Sequence, residues 1–371
     1  MAHALHDGYT DMIYALLPVW QADFGLNYGA LAMLRAIYAG TMATLQLPAG
    51  RLARTLGTRA TLAFGTLLAA LGYAVAGMSG TLLGLCVALA ISGSGSSTQH
   101  PLASGAVSRV YGRNARRPLS VYNFSGDLGK SALPAAISLL ITIMPWRHAL
   151  WAMSTVGVLV AAVIALFLPS VPRDESSIEE ASSHNSNGSR AGFSLLLTIG
   201  VLDTAVRMGL LTFLPFLLKT KGISPPMMGT ALALVFIGGA AGKFVCGWLG
   251  ARVGVIGTVL ATEGGTAALI LAVICLPLAP ALIVLPLLGV MLNGTSSVLY
   301  GTVPELTSVE RTERAFALFY TGTIASGALA PVAYGLLGDR IGVLGATLAT
   351  AATALAVFPL ALALRPHLRK T

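Results

Sequence analysis

Long apolar runs alternate with short polar joints along the whole chain. An α-helix rises 1.5 Å per residue, so crossing a hydrocarbon layer takes about 20 mostly apolar residues. Runs of that length predict twelve spanning helices, over 3–22, 27–49, 60–79, 82–108, 118–143, 147–168, 193–217, 225–248, 254–275, 279–303, 314–337 and 341–364. Charges, Gly or Pro occupy the joints. The runs are too long for strands and lack period-two alternation, so a barrel is not supported. Pro277, Pro280 and Pro286 crowd the start of the tenth run. One polar break is longer, PSVPRDESSIEEASSHNSNGSRAG at 169–192, rich in Ser and carrying Asp174, Glu175, Glu179 and Glu180. It predicts a flexible cytoplasmic linker between two six-helix bundles, 1–168 and 193–371, the second ending in a short cytoplasmic tail.

The two halves repeat. A shift of 197 residues carries Pro18 onto Pro215, Gly25 onto Gly222, Gly50, Leu52 and Gly57 onto Gly247, Leu249 and Gly254, and Pro134 onto Pro331. At a shift near 200, ISGSGSS from Ile91 resembles LNGTSS from Leu292. Several coincidences at one offset, each at the same place in a half, point to duplication. Parallel repeats of this kind build one class of transporter. The expected fold class is therefore an all-α membrane protein of two pseudo-symmetric bundles.

Composition agrees. Of 371 residues, 55% are hydrophobic and only 10% charged, with a mean hydropathy of +0.79. Soluble domains carry about 25% charged residues, and disorder needs low hydrophobicity, so both are excluded. Forty-two Gly and 18 Pro without a Gly-X-Y period suit helices packed in lipid rather than collagen. Cys86, Cys246 and Cys275 are far apart in apolar runs and form neither a disulfide framework nor a metal quartet.

A net charge of +9 would suggest a nucleic-acid partner for a soluble protein, but its placement says otherwise. Fifteen of the 23 Lys and Arg fall in even-numbered loops and the C-terminal tail, among them Arg51, Arg54, Arg59, Arg109, Arg173, Arg252 and Arg369. Odd-numbered loops hold Arg147, Lys219, Lys221 and Arg340. Basic loops stay inside, so both termini are expected to be cytoplasmic, the bilayer is the expected surrounding, and no nucleic acid is expected to bind. Met1 to Trp20 has no basic residue before its apolar part and reads as a first span rather than a cleaved signal. A start upstream of Met1 stays open.

Charges inside the spans carry the candidate chemistry, because each costs about 2.5–3.5 kcal/mol at mid-bilayer. They are Asp7, Asp11, Arg35, Asp127, Lys130, Asp203, Arg207, Lys243 and Glu263, joined by His3, His6 and His100. His3, Asp7 and Asp11 follow i, i+4, i+8, drifting about 40° per step, and Tyr14 continues that stripe. A carboxylate beside an imidazole in low dielectric suits proton exchange, so Asp7 first, then Asp11, His3 and Glu263, are proton-coupling candidates. Helix capping by His3 and Asp7 is the bland alternative, and His3-x-x-His6 as a metal site is weaker, since further ligands are lacking nearby. No metal or cofactor is expected; a proton gradient would be the energy source.

The run from Ser92 to Pro101 is small, polar or helix-perturbing throughout. Gly93 and Gly95 allow close helix approach, Pro101 can kink the helix, and Gln99 and His100 offer polar groups to a cavity, unless His100 is only structural. No Lys-Ser/Thr follows the Gly-x-Gly, so a phosphate loop is excluded. Asp127 with Lys130 and Asp203 with Arg207 have intrahelical pairing distances, whether exchanged for a solute or permanent. Arg35 has no partner on its own helix and suits a carboxylate or phosphonate. Arg35, Lys130 and Arg207 together favour an anionic or zwitterionic solute. Lys243 either snorkels or partners Glu263. The soluble-enzyme constellations Gly-x-Ser-x-Gly, His-Glu-x-x-His and Cys-x-x-Cys do not occur, so no enzyme is expected, and the Asn187-Gly188-Ser189 sequon lies in a loop expected to be cytoplasmic.

On these residues the whole chain resembles the major facilitator superfamily. Gly50-Arg51-Leu52-Ala53-Arg54-Thr55-Leu56-Gly57-Thr58-Arg59 resembles that superfamily's Gly-x-x-x-Asp-Arg-x-Gly-Arg-Arg loop, with Arg54 where the Asp usually stands. Ala251 likewise replaces it after the eighth span, and a better copy runs from Gly335 through Asp339 and Arg340 to Gly342. In the superfamily the first loop's Asp helps latch the halves, so Gly50, Arg54, Gly57, Arg59, Gly335, Asp339 and Arg340 are gating candidates, with the latch itself in doubt. Within the superfamily, Ala2-His3-Ala4-Leu5-His6-Asp7 and Gly93 through His100-Pro101 resemble the bacterial fosmidomycin-resistance group, with Gln99 replacing an aromatic. The resemblance implies a monomeric carrier of the bacterial inner membrane, exporting a small, anionic compound such as an antibiotic by proton antiport. Uptake of an organic anion by symport would use similar residues, and Arg54 in place of the signature Asp, with the unusual charges in the spans, leaves open a non-transporting sensor or assembly component.

Overall fold

The computed structural model describes residues 1–114, 116–169, 190–307 and 312–368. The body of the expected linker, with Arg173, Asp174, Glu175, Glu179, Glu180 and the sequon, lies outside the described residues, as does Arg369. The described residues are helical and contain no strand: α1 (Ala2–Phe24), α2 (Tyr28–Thr44), α3 (Gln46–Leu56), α4 (Thr58–Met78), α5 (Leu82–Ser96), α6 (Gln99–Tyr111), α7 (Arg116–Ile143), α8 (Trp146–Phe167), α9 (Arg190–Thr220), α10 (Pro225–Cys275), α11 (Leu278–Thr302) and α12 (Thr312–Leu364). Local chemistry sets several ends. The Asn27 side chain accepts from Ala30 N at 2.8 Å to open α2, and Thr81 Oγ1 accepts from Gly84 N at 3.1 Å to open α5.

Seven of the helices are long and apolar enough to cross a membrane, which makes this a multi-pass membrane protein. The twelve expected runs do not appear as twelve separate helices. Runs two and four are each divided, at Leu45 and at Ser97–Thr98, and the cause is the same. Pro48 and Pro101 follow within a few residues, and neither has an N–H to return to the helix before it. Pro101 therefore sits in the first turn of α6, where no N–H is needed, rather than kinking a helix interior. Conversely, runs eight and nine share the 51-residue α10, and runs eleven and twelve the 53-residue α12. Each is far longer than one crossing and is broken at one glycine, Gly254 (φ 74, ψ 174) or Gly342 (φ 76, ψ 172).

The repeat reappears in the backbone. Gly25 (φ 62) ends α1 and Gly222 (φ 82) follows α9, 197 residues apart. Gly57 (φ 86) and Gly254 (φ 74) match at the same offset. Gly57 and Gly254 also have ψ of 155 and 174, a region essentially closed to side chains. A Cβ at Gly254 would meet no atom within 4 Å, so any cost of adding one is conformational. Gly254→Ala is expected to destabilise the protein by about 1–3 kcal/mol. Gly247→Ala, on ordinary helix with equally open space, should not, and thermal melting of the two variants in detergent checks this.

The chain forms two compact units, one of Met1–Ser176 with Ile223–Ala233, the other of Ser177–Gly222 with Leu234–Thr371. In lipid, apolar side chains gain little by leaving their solvent, so helices associate through close packing and polar contacts. The first unit follows that rule. Gly72 lies against Ser92, Gly95 against Gly65 and Ala69, Gly93 against Tyr38 and Thr41, and Gly129 against the Ala4 backbone. Hydroxyls then donate across helices: Ser92 Oγ to Ala69 O at 3.0 Å, Ser154 Oγ to Ala70 O at 2.7 Å, and Tyr9 OH to Met153 O at 2.6 Å. Far from His3 along α1, Asp23 pairs with Arg147 at 3.1 Å. In the second unit, Leu196, Ile199, Val259, Leu299, Phe319 and Val357 form one buried apolar cluster.

Candidate functional site

The first turns of α1 are unusually polar and yet buried. His3, His6, Asp7 and Asp11 are all at most 6% exposed. Only close packing at small residues permits this. Gly126 on α7 lies against the Asp7 and His3 side chains, so that any larger residue would displace them.

Asp7 is the centre of the cluster. Its Oδ2 stands 3.3 Å from Lys130 Nζ and 3.7 Å from His3 Nε2, and its Oδ1 stands 3.4 Å from His100 Nε2. One carboxylate from α1 thus gathers basic groups from α1, α6 and α7. His3 is held flat on Tyr122, with ring centroids 3.9 Å apart, and edge-on to His100 at 5.1 Å. The pairing expected between Asp127 and Lys130 is present at 3.8 Å, but it is the longer of two contacts: Lys130 bridges Asp7 and Asp127 instead of serving one helix alone. His100 reaches Asp7 with a side chain that is 43% exposed, so this edge of the cluster is open.

His6 does not join His3. It turns the other way, with Nδ1 3.2 Å from Ser96 Oγ and Nε2 3.0 Å from Thr66 Oγ1. The His3-x-x-His6 metal alternative is therefore replaced. Among the described residues, the donor atoms of His3, Asp7 and His100 come within 4.8 Å of one another. That set has the right chemistry for a metal ion, but the Lys130 ammonium already places a positive charge against the same carboxylate.

A second part of the site lies further along the α1 stripe. The Arg35 guanidinium is 5.2 Å from the Tyr14 ring centroid and 5.9 Å from that of Tyr38, and it interacts with Asp11 and hydrogen-bonds Tyr14. Arg35 is only 4% exposed, and its Nε and Nη1 have no hydrogen-bond partner. Tyr38 OH lies 2.8 Å from Ser96 Oγ and 3.2 Å from Thr10 Oγ1, linking Arg35's surroundings to His6. A cavity of ≈ 630 Å³ opens within the first unit and is lined by Gln99, Tyr122, His3 and Arg117. His3 Nδ1 and Gln99 Oε1 are buried at its wall without partners, and Tyr122 hydrogen-bonds Gln99 there.

The second unit corrects two expectations. Asp203 does not spend its carboxylate on Arg207. It hydrogen-bonds Glu263 and Thr295, while Arg207 acts as a nearby charge. Glu263, expected alone or beside Lys243, is buried against Asp203, whereas Lys243 is exposed. Thr295 Oγ1 also donates to Thr262 Oγ1 at 2.8 Å. Arg54, Arg59, Asp339 and Arg340 are exposed, and Gly50 and Gly335 lie on α3 and α12 near them in sequence. Tyr122, Tyr38, Thr66 and Thr295 escape a reading of charge alone, because uncharged groups carry no insertion cost that marks them.

Comparison with known proteins follows from this geometry. The family model described as Major Facilitator Superfamily matches residues 1–198 and 196–371. A bacterial homolog of the human lysosomal transporter Spinster, in an inward-facing and occupied conformation, superposes with a TM-score of 0.82 at 13% identity, covering 98% of this chain and 95% of that one. The nucleoside transporter NupG gives 0.79 at 12% identity, covering 99% of each chain. A peptide transporter, POT, in complex with sulfate gives 0.77 at 15% identity, covering 98% of this chain and 93% of that one. At such identities the likeness is one of fold. No curated protein sequence matches the chain.

Proposed function

The chain belongs to the Major Facilitator Superfamily, a family of transporters rather than enzymes, and from that premise we propose that it is a secondary transporter of a small organic anion or zwitterion. It works by alternating access across twelve spans, as a monomer in the inner membrane of a bacterium, with both termini in the cytoplasm. The support for the orientation is the excess of Lys and Arg in even-numbered loops. Proton-coupled export, as in the fosmidomycin-resistance group that the His3–Asp7 and Gly93–Pro101 segments resemble, is the preferred direction. Uptake by symport uses the same residues and is the second reading.

The single observation that carries the substrate class is Arg35. A buried guanidinium with two N–H groups unpartnered is costly, and an anionic solute held by the planar guanidinium brings the acceptors they lack. Tyr14 and Tyr38 lie beside the guanidinium and Tyr14 hydrogen-bonds it, which leaves Nε and Nη1 for those acceptors. His100, with its exposed side chain, and Lys130, shared between Asp7 and Asp127, add positive charge that a solute can recruit. Gln99 and Tyr122 add neutral donors and acceptors at the cavity wall.

A thermal-shift screen of the purified protein in detergent tests this. Organic carboxylates and phosphonates should raise the melting temperature, and organic cations should not. Arg35→Lys keeps the charge but loses the planar guanidinium, so it should weaken the shift at least tenfold in ligand concentration, about 1.4 kcal/mol. Stabilisation by cations that survives in Arg35→Lys would sink the reading. Coupling is tested separately in everted vesicles, where solute movement indifferent to an imposed pH gradient would refute it.

A further inference from the structure

The 197-residue repeat relates two buried pairs that charge alone does not connect. It carries His6 onto Asp203 and Thr66 onto Glu263. In the first unit that pair is a neutral hydrogen bond, His6 Nε2 to Thr66 Oγ1 at 3.0 Å, completed by Ser96 from α5. In the second unit the same pair of positions is Asp203 hydrogen-bonded to Glu263, completed by Thr295 from α11. All four paired residues are buried. The fold thus builds one polar contact twice, between the first and third runs of each half, and fills it with imidazole and hydroxyl once and with two carboxyls once.

The reverse holds for the Asp7 cluster. The same shift carries Asp7, Asp11, Arg35 and Lys130 onto Thr204, Met208, Leu232 and Gly327, none of them charged. Each half therefore has one charged device that the other lacks.

We propose that Asp203 and Glu263 form a one-proton carboxyl dyad, which takes up and releases the coupled proton, while the Asp7 cluster serves the solute. This rests on the proton-coupled reading given above and moves its proton from the first unit to the second. An ionised carboxylate only accepts hydrogen bonds, so two carboxyls in contact need a proton between them. Two negative charges side by side in an apolar interior repel strongly, so the second ionisation is resisted and the dyad holds a single exchangeable proton. On uptake, water delivers a proton to one carboxylate oxygen, and the new O–H donates to the other carboxylate; on release the proton returns to water and the contact opens. Asp203 Oδ2 is buried without a hydrogen-bond partner, so the dyad keeps an oxygen that no other group occupies.

The surroundings fit one proton rather than none or two. Arg207 from α9 offers one positive charge to offset one remaining negative charge, and its Nε has no partner. Thr295 from α11 lies beside both carboxyls and gives its one proton to Thr262 of α10, so its oxygen can accept from a protonated carboxyl. From α12, Ser326 donates to Val201 O at 2.6 Å and Tyr334 donates to Thr353 Oγ1 at 2.7 Å, so neither is committed to the dyad. Asp7 is a poorer carrier, because Lys130 and His100 already lie against it.

Infrared difference spectra of the full chain in liposomes, recorded against pH and repeated in heavy water, read the proton itself. A protonated-carboxyl C=O band that titrates and shifts in heavy water is expected in the wild type and in Asp7→Asn. It should vanish in Glu263→Gln and in Asp203→Asn, each of which keeps shape and hydrogen-bonding capacity. A band lost in Asp7→Asn but kept in both dyad variants would overturn the proposal, as would a wild type with no such band. Melting of each variant in detergent identifies any that merely misfold, and the other dyad variant then decides. Since the band needs no solute, it stands or falls apart from the solute and vesicle experiments.

Discussion

Gly129→Ala is expected to prevent the first unit from assembling. A Cβ at Gly129 would run into the backbone of Ala4, including its carbonyl oxygen. Backbone cannot rotate aside as a side chain can, so α1 and α7 would have to separate. Overpacking costs typically 1–3 kcal/mol where side chains can yield, and the cost here lies at or above about 3 kcal/mol. Stabilities of about 5–15 kcal/mol leave little margin for such a loss. The consequence reaches the site, because Lys130 is the next residue and Asp7 lies one turn along α1 from Ala4. Yield and monodispersity after detergent extraction should collapse for Gly129→Ala and stay normal for Gly105→Ala, which meets nothing within 4 Å. Gly126→Ala is the informative intermediate: it presses on the side chains of Asp7 and His3, not on backbone, so folding should survive while the cluster is disturbed. Normal folding of Gly129→Ala would mean that the α1–α7 contact is looser than described.

The second large effect is expected at Asp7. Asp7→Leu removes the carboxylate that, among the described residues, pairs with both His3 and His100, and leaves Lys130 with Asp127 at 3.8 Å. Breaking a fully buried pair costs about 3–5 kcal/mol, mostly because the surviving charge is stranded. Lys130's side chain is 32% exposed, so water can relieve part of that, and a loss of about 1–3 kcal/mol is expected. Lys130→Met alone should cost less, because Asp7 keeps His3 and His100 beside it. The double variant Asp7→Leu/Lys130→Met should recover part of the stability, since neither charge is then stranded, yet it should not regain stabilisation by organic anions. A double-mutant cycle of melting in detergent reads the coupling. Strictly additive single effects would show that the 3.3 Å contact carries no energy.

Much of this was legible in the chain itself. Twelve apolar runs, the asymmetry of Lys and Arg, and the offset of 197 pointed to a two-fold helical membrane protein. The i, i+4, i+8 spacing of His3, Asp7 and Asp11 put them on one face, and that face is buried. The repeat also tied Gly25 to Gly222 and Gly57 to Gly254, and all four have positive φ in the structure. Where helices divide was less visible. Hydropathy passes smoothly over Pro48 and Pro101, which interrupt runs two and four, whereas Pro134 and Pro215 sit inside unbroken helices and Pro331 in the part of α12 before its break at Gly342.

Partnership was only partly legible from spacing: the Asp127–Lys130 pair is present at 3.8 Å, while contacts between helices were not visible. Intrahelical distances suggested Asp127 for Lys130 and Arg207 for Asp203, since i, i+3 and i, i+4 neighbours lie on one face. Spacing along a helix says what can meet within it and nothing about what a neighbouring helix brings. The stripe of polar residues, the halves and the class of fold were set by the sequence, because periodicity and hydropathy act locally and need no partner. That Lys130 bridges to Asp7, that His100 replaces His6 beside His3, and that Asp203 meets Glu263 were decided only by tertiary packing, because each contact joins residues far apart in the chain, brought together where glycines let the helices touch.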